Sequence, residues 1–77
     1  MPASPVVLAS IENTEGNRCV DLFVRADGTF GFEEYRRDPE DQRWAKVGYN
    51  AHRIFASRDE ARAAARAAVE WMQRTGG

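Results

Sequence analysis

The sequence predicts an α+β fold: an antiparallel meander of three strands, or four if Val6–Ile11 also pairs, with one C-terminal helix packed on one face. Three observations predict it. Apolar and polar residues alternate through "RCVDLFVR" and run on through "TFGFEEYRR". The turn signals "ADG" and "DPED" separate these segments from each other and from "QRWAKVGY". A Ser-x-x-Glu helix start then opens an alanine-rich stretch. The 77 residues form one domain. A chain this short buries only about 60% of its unfolded surface, which leaves a single thin core. Residues 1–5 are expected to be loose, 18–49 to form the sheet and 58–74 the helix.

Pro2 and Pro5 frame the loose start, and the apolar Val6–Ile11 suits an edge strand. "ENTEGN" reads as a turn. In the next strand Val20, Leu22 and Val24 share one side, and Cys19, Asp21, Phe23 and Arg25 the other. If Asp27-Gly28 were a two-residue turn, the apolar residues of the two flanking strands would scatter over both faces. A type I turn with Gly28 as the left-handed bulge residue pairs Val24 with Phe30 and Leu22 with Phe32, and one face becomes uniformly apolar. The same register lays Phe23 across Gly31. A four-residue "DPED" loop, with Pro39 in the second turn position, pairs Arg37 with Gln42. It then sets Phe32 opposite Val47 and Phe30 opposite Tyr49 on the apolar face. On the other face it sets Tyr35 opposite Trp44 and Glu33 opposite Lys46.

Ser57 and Glu60 form a capping box, so the helix starts at Arg58. Ala61, Ala65, Ala68 and Met72 make its central stripe, flanked by Ala64, Val69 and Trp71. Alanines let the helix sit close to the sheet, where Leu22, Phe30, Phe32 and Tyr49 supply the bulk. The chain ends in Gly76-Gly77, the ending of ubiquitin-like modifiers. In those proteins, however, the di-glycine follows a final strand. Here only Gln73, Arg74 and Thr75 separate it from Met72. A glycine at this place reads as the ordinary left-handed helix cap, and a modifier role is the minor alternative.

Eleven basic and twelve acidic residues leave a net charge of −1, which argues against a general polyanion binder. All the basic residues but Lys46 are arginine. Cys19 is the sole cysteine, so no internal disulfide and no cysteine metal cluster can form. "MPASPVVLAS" has no basic n-region, and its apolar run is too short for a signal peptide or a membrane span. A cytoplasmic protein with no membrane partner is the expectation. No enzyme, cofactor or metal site is expected either. Cys19, His52 and Asp21 could be imagined as a nucleophile set, but Cys19 sits at a strand end and His52 in a connector, far apart under this register. Glu33 and Glu34 point to opposite faces, so they are no acid–base pair. "DPED" lacks the ligand spacing of a calcium loop, and no glycine-rich phosphate loop occurs.

The sheet face away from the helix is more informative. It carries Phe23, Tyr35 and Trp44 interleaved with Arg25, Arg37 and Lys46, and with Asp21 and Glu33. One helix covers only one face of a sheet, and an uncovered face is usually polar. Large aromatics there point to a partner. Phe23, Arg25, Tyr35, Trp44 and Lys46 are therefore the candidate partner-binding residues. They belong to a small non-enzymatic interaction domain that self-associates, as a homodimer for instance, or binds another protein.

The meander of strands followed by one packed helix, with "FASRDEARAAA" (Phe55 to Ala65) as the helix start, resembles two kinds of DNA-binding module. These are the arm-binding domains of phage-type tyrosine integrases and the plant ethylene-response-factor domains. The resemblance is one of architecture and covers Arg18 to Arg74. It implies that the open sheet face would enter a major groove and read bases with Arg25, Arg37, Trp44 and Lys46. This sequence departs from that pattern in placing Asp21 and Glu33 on the face, where each repels phosphate. Nucleic-acid binding is thus the second expectation, after a protein partner or a second copy.

Overall fold

The computed structural model describes residues 5–75, and of 74 and 75 the backbone only. Most of the segment expected to be loose, and the terminal Gly76-Gly77, lie outside the described residues. The fold is α+β. Four antiparallel strands lie in the order β1 (Val6–Glu12), β2 (Arg18–Val24), β3 (Phe30–Arg37) and β4 (Trp44–Lys46), and helix α1 (Arg58–Ala68) packs on one face. A short second helix, α2 (Glu70–Thr75), follows. Val6–Glu12 is thus a fourth strand, paired along β2 with a one-residue bulge at Leu8.

The first hairpin forms as the apolar pattern requires. Val24 pairs with Phe30, Phe23 with Gly31 and Leu22 with Phe32. The Gly28 N–H bonds the Arg25 carbonyl at 3.0 Å and the Arg25 N–H bonds the Thr29 carbonyl at 2.8 Å, a type I turn closed by a bulge. Gly28 holds φ +85°, a left-handed conformation that glycine adopts without steric cost. Asp27 fixes the turn from above, accepting from the Thr29 N–H at 3.0 Å and its hydroxyl at 2.6 Å. Those two bonds hold its carboxyl below the usual range.

The second hairpin differs from the expectation by two residues. Arg37 pairs with Trp44 rather than Gln42, Tyr35 with Lys46 rather than Trp44, and Glu33 has no partner on β4. The reason lies in Asp38. Its N–H bonds the Arg43 carbonyl at 2.8 Å, so Asp38 is the last residue of the ladder and not the first of the loop. Its carboxylate accepts from Glu40 at 2.7 Å and Asp41 at 3.3 Å. The loop is therefore Pro39–Gln42, with Gln42 at φ 64°. Because the slip is even, Tyr35 and Trp44 stay on the same face, now as diagonal neighbours.

β4 is also shorter than the expected "QRWAKVGY" strand. Gly48 at φ +86° turns the chain away. Neither Val47 nor Tyr49 meets its expected partner, and Tyr49 is 86% exposed. Phe55 takes the place assigned to Tyr49. Its N–H and carbonyl bond the backbone of Phe30 at 3.0 and 2.8 Å, and its ring stacks tilted against Phe32 at 6.0 Å.

Val20, Leu22, Phe32, Ala61, Ala65, Val69 and Met72 form the core. Ser57 caps α1 by accepting from the Glu60 N–H at 3.1 Å, and the Glu60 carboxylate accepts from the Ala56 N–H at 3.0 Å. The expected single helix over 58–74 breaks at Val69, which is extended (φ −108°, ψ 104°). In an unbroken helix Val69 would lie about 80° around the axis from Ala61. The break brings both Val69 and Met72 into the core, while Ala68, expected in the stripe, is exposed. The Gln73 side-chain amide donates to the Arg66 carbonyl at 3.0 Å across the break.

Candidate functional site

Strand pairing sorts the side chains of the face opposite the helix into two halves. In one half lie Val7, Phe23, Arg25, Gly31 and Glu33. In the other lie Ser10 and Glu12 from β1, Cys19 and Asp21 from β2, Tyr35 and Arg37 from β3, and Trp44 and Lys46 from β4.

Over β2 and β3 the first half is closed by the chain itself, while Val7 on β1 stays exposed. The segment after Gly48 is tied down by two charged side chains of the face. Glu33, 2% exposed, accepts from the Ala51 N–H at 3.0 Å and the Asn50 N–H at 3.4 Å. Arg25 donates to the carbonyls of Ala51 and Arg53, and to that of Phe30 at 3.0 Å. Its guanidinium lies 4.9 Å from the Phe23 ring centre. That ring in turn covers Gly31, where a Cβ would meet Phe23 Cζ at 2.7 Å. Two expected contact residues are thus engaged internally. Phe23 is buried and Arg25 is a planar fork closed on backbone oxygens. Glu33 anchors a loop where the sequence suggested an ion pair with Lys46.

The second half is open. Ser10, Glu12, Cys19, Asp21, Tyr35 and Trp44 line a cleft of about 380 Å³. Trp44 is 39% exposed, and Arg37 covers one side of its ring at 4.7 Å. Arg37 Nε is buried without a hydrogen-bond partner among the described residues. Asp21 organises the floor by accepting from the Ser10 hydroxyl at 2.7 Å and the Cys19 thiol at 3.4 Å.

The electrostatics of this floor are acidic. Burial, then the Asp21 hydrogen bond, and then the charges of Asp21 and Glu12 push the Cys19 thiol up to about 12. Burial, reinforced by Asp21 and Glu33, likewise raises the Tyr35 phenol above its ordinary value. Both groups are therefore neutral at physiological pH, and a protonated thiol is a poor nucleophile. No group of three or more His, Cys, Asp and Glu side chains among the described residues is placed to hold a metal ion. No helix of the described residues is long and apolar enough to cross a membrane.

Of the five residues singled out from the sequence, the structure brings Tyr35, Trp44 and Lys46 together and sets Phe23 and Arg25 apart beneath the loop. Ser10 and Glu12 were not singled out. Their signal was the alternation of Ala9 and Ile11 with Ser10 and Glu12, which directs the polar pair onto the open face once β1 is paired with β2. Comparison of the chain with protein-family models, with curated proteins and with solved structures gave no match.

Proposed function

We propose that the chain is a small non-enzymatic interaction domain that self-associates or captures a protein partner through the open half of its sheet face. One observation carries this reading. Trp44 stands 39% exposed beside Tyr35 at a cleft that neither the helix nor the connector reaches. Aromatics flanked by arginine are typical anchors of protein contacts, where truncation often costs about 2 kcal/mol or more of binding. The acidic floor of Glu12 and Asp21 supports a protein over a nucleic acid, because carboxylates on the face repel phosphate. The Cys19 thiol, held protonated, supports a binding role over nucleophilic chemistry.

Trp44→Ala tests the reading. The ring lies on the outermost strand and outside the core, so the variant keeps its far-UV circular dichroism and melts close to wild type. It loses self-association by light scattering, or partner capture in a pull-down from the native host. A variant that keeps both the wild-type mass and the wild-type partners would refute the reading. So would retention on DNA that weakens steeply with salt and depends on Lys46.

A further inference from the structure

We infer that the cleft on the open half-face receives a basic side chain, lysine or arginine, presented by a protein partner. This rests on the reading of that half-face as a contact surface and names the chemistry it recognises.

The lining sets that chemistry. Glu12 and Asp21 bring two carboxylates to the cleft, and the other groups around it are a hydroxyl, a thiol and two aromatic rings. No cationic side chain lines it among the described residues. Arg37 and Lys46 share the half-face, but Arg37 lies against the Trp44 ring and Lys46 stands beyond Tyr35 on the outermost strand. Asp21 uses one oxygen, Oδ1, to accept from Ser10 and Cys19. Its second oxygen and the Glu12 carboxylate are engaged by no hydrogen bond or ion pair within the described residues. They are open to a donor from outside the chain.

Two groups inside the cleft sense its potential. The Cys19 thiol is raised by burial and then by Asp21 and Glu12, and the Tyr35 phenol by burial and then by Asp21 and Glu33. The charges that bear on both are acidic, even though Lys46 is the cross-strand partner of Tyr35. A cation gains in such a place and an anion loses. The walls favour the same ligand, because the face of an aromatic ring attracts a cation. Trp44 already holds the Arg37 guanidinium at 4.7 Å and is still 39% exposed. The volume of about 380 Å³ lies at the small end of ligand sites, which span roughly 300–1,000 Å³. That suits one long side chain, its aliphatic stem on the rings and its charged head at the carboxylates.

Amide shift titration of the full chain with blocked tripeptides, glycine on either side of a central residue, provides the test. Peptides with arginine or lysine at the centre should move Glu12, Asp21, Tyr35 and Trp44 saturably, and less as salt rises. Their glutamine and glutamate counterparts should leave these residues unmoved. Glu12→Gln and Asp21→Asn should each weaken the basic peptides by about threefold, the scale of a partly exposed ion pair. Circular dichroism shows whether each variant keeps its fold. Glu12, exposed and outside the Ser10–Asp21–Cys19 hydrogen bonds, carries the comparison if Asp21→Asn does not. A glutamine peptide that binds as well as the basic ones would overturn the inference. So would basic peptides that move nothing in the cleft, or that bind the folded variants as tightly as wild type. Self-association that the arginine peptide fails to displace would also overturn it, since a second copy would then be the occupant. In each of these cases, Trp44-dependent capture of another protein would leave the reading of the face standing, and its loss would remove that reading too.

Discussion

Gly28 and Gly31 show how one residue type serves two unrelated needs. A Cβ on Gly28 would touch nothing, so its constraint is the positive φ alone. Gly28→Val is expected to cost about 2 kcal/mol in backbone strain. For a domain of this size that lowers Tm by roughly 10 °C. A melting point within a degree or two of wild type would contradict the bulged turn. Gly31 has ordinary backbone, and its constraint is the Phe23 ring lying on it. Cys19 offers a chemical check at the same scale. A thiol raised from 9.0 to about 12 carries, near pH 8, on the order of a thousandfold less thiolate than a free one. Iodoacetamide should therefore label the native chain far more slowly than the urea-unfolded chain. Equal rates would show that burial and the carboxylates of Asp21 and Glu12 do not bear on the thiol as described.

At the scale of elements, the first hairpin and the helix start were legible because local chemistry and pattern agree there. The apolar face admits one register, and Ser57 with Glu60 marks one helix start. The second hairpin was legible in parity but not in register. "DPED" offers two four-residue loops, one beginning at Asp38 and one at Pro39. The choice depends on Asp38 using both its backbone and its carboxylate, and on Gln42 accepting a left-handed φ that its type does not advertise. The break at Val69 was hidden because alanine-rich helical periodicity continues across it. Only the pull of Val69 and Met72 into one core reveals it. α1 meets the sheet through Ala61 and Ala65, which leave no room for bulk. Ala65→Leu is expected to destabilise by about 1–3 kcal/mol through overpacking, more than the roughly 1 kcal/mol expected for losing the cap in Ser57→Ala. Urea titration of both variants checks the order. A leucine tolerated better than the lost cap would mean that the alanine stripe does not face the sheet.

At the scale of the molecule, the chain divides its second sheet face between structure and exposure. Arg25 and Glu33 draw the connector after Gly48 onto one half, which buries Phe23 and engages Arg25, expected at a contact, and Glu33, expected beside Lys46. That division was not legible in the sequence, because a connector's path depends on backbone groups that no side-chain pattern encodes. What the connector leaves uncovered is the half built on Tyr35 and Trp44, with an acidic floor and a basic margin. The central claim is that this half is where the molecule self-associates or meets a protein partner. The most direct measurement is a ¹H–¹⁵N amide shift map of the chain, at rising concentration and with the protein it captures in a pull-down. The expected result is a set of shifts gathered on Glu12, Cys19, Asp21, Tyr35, Trp44 and Lys46, with α1 unmoved. Shifts centred on Val6–Leu8 or on α1, or a map that moves in neither series, would contradict it.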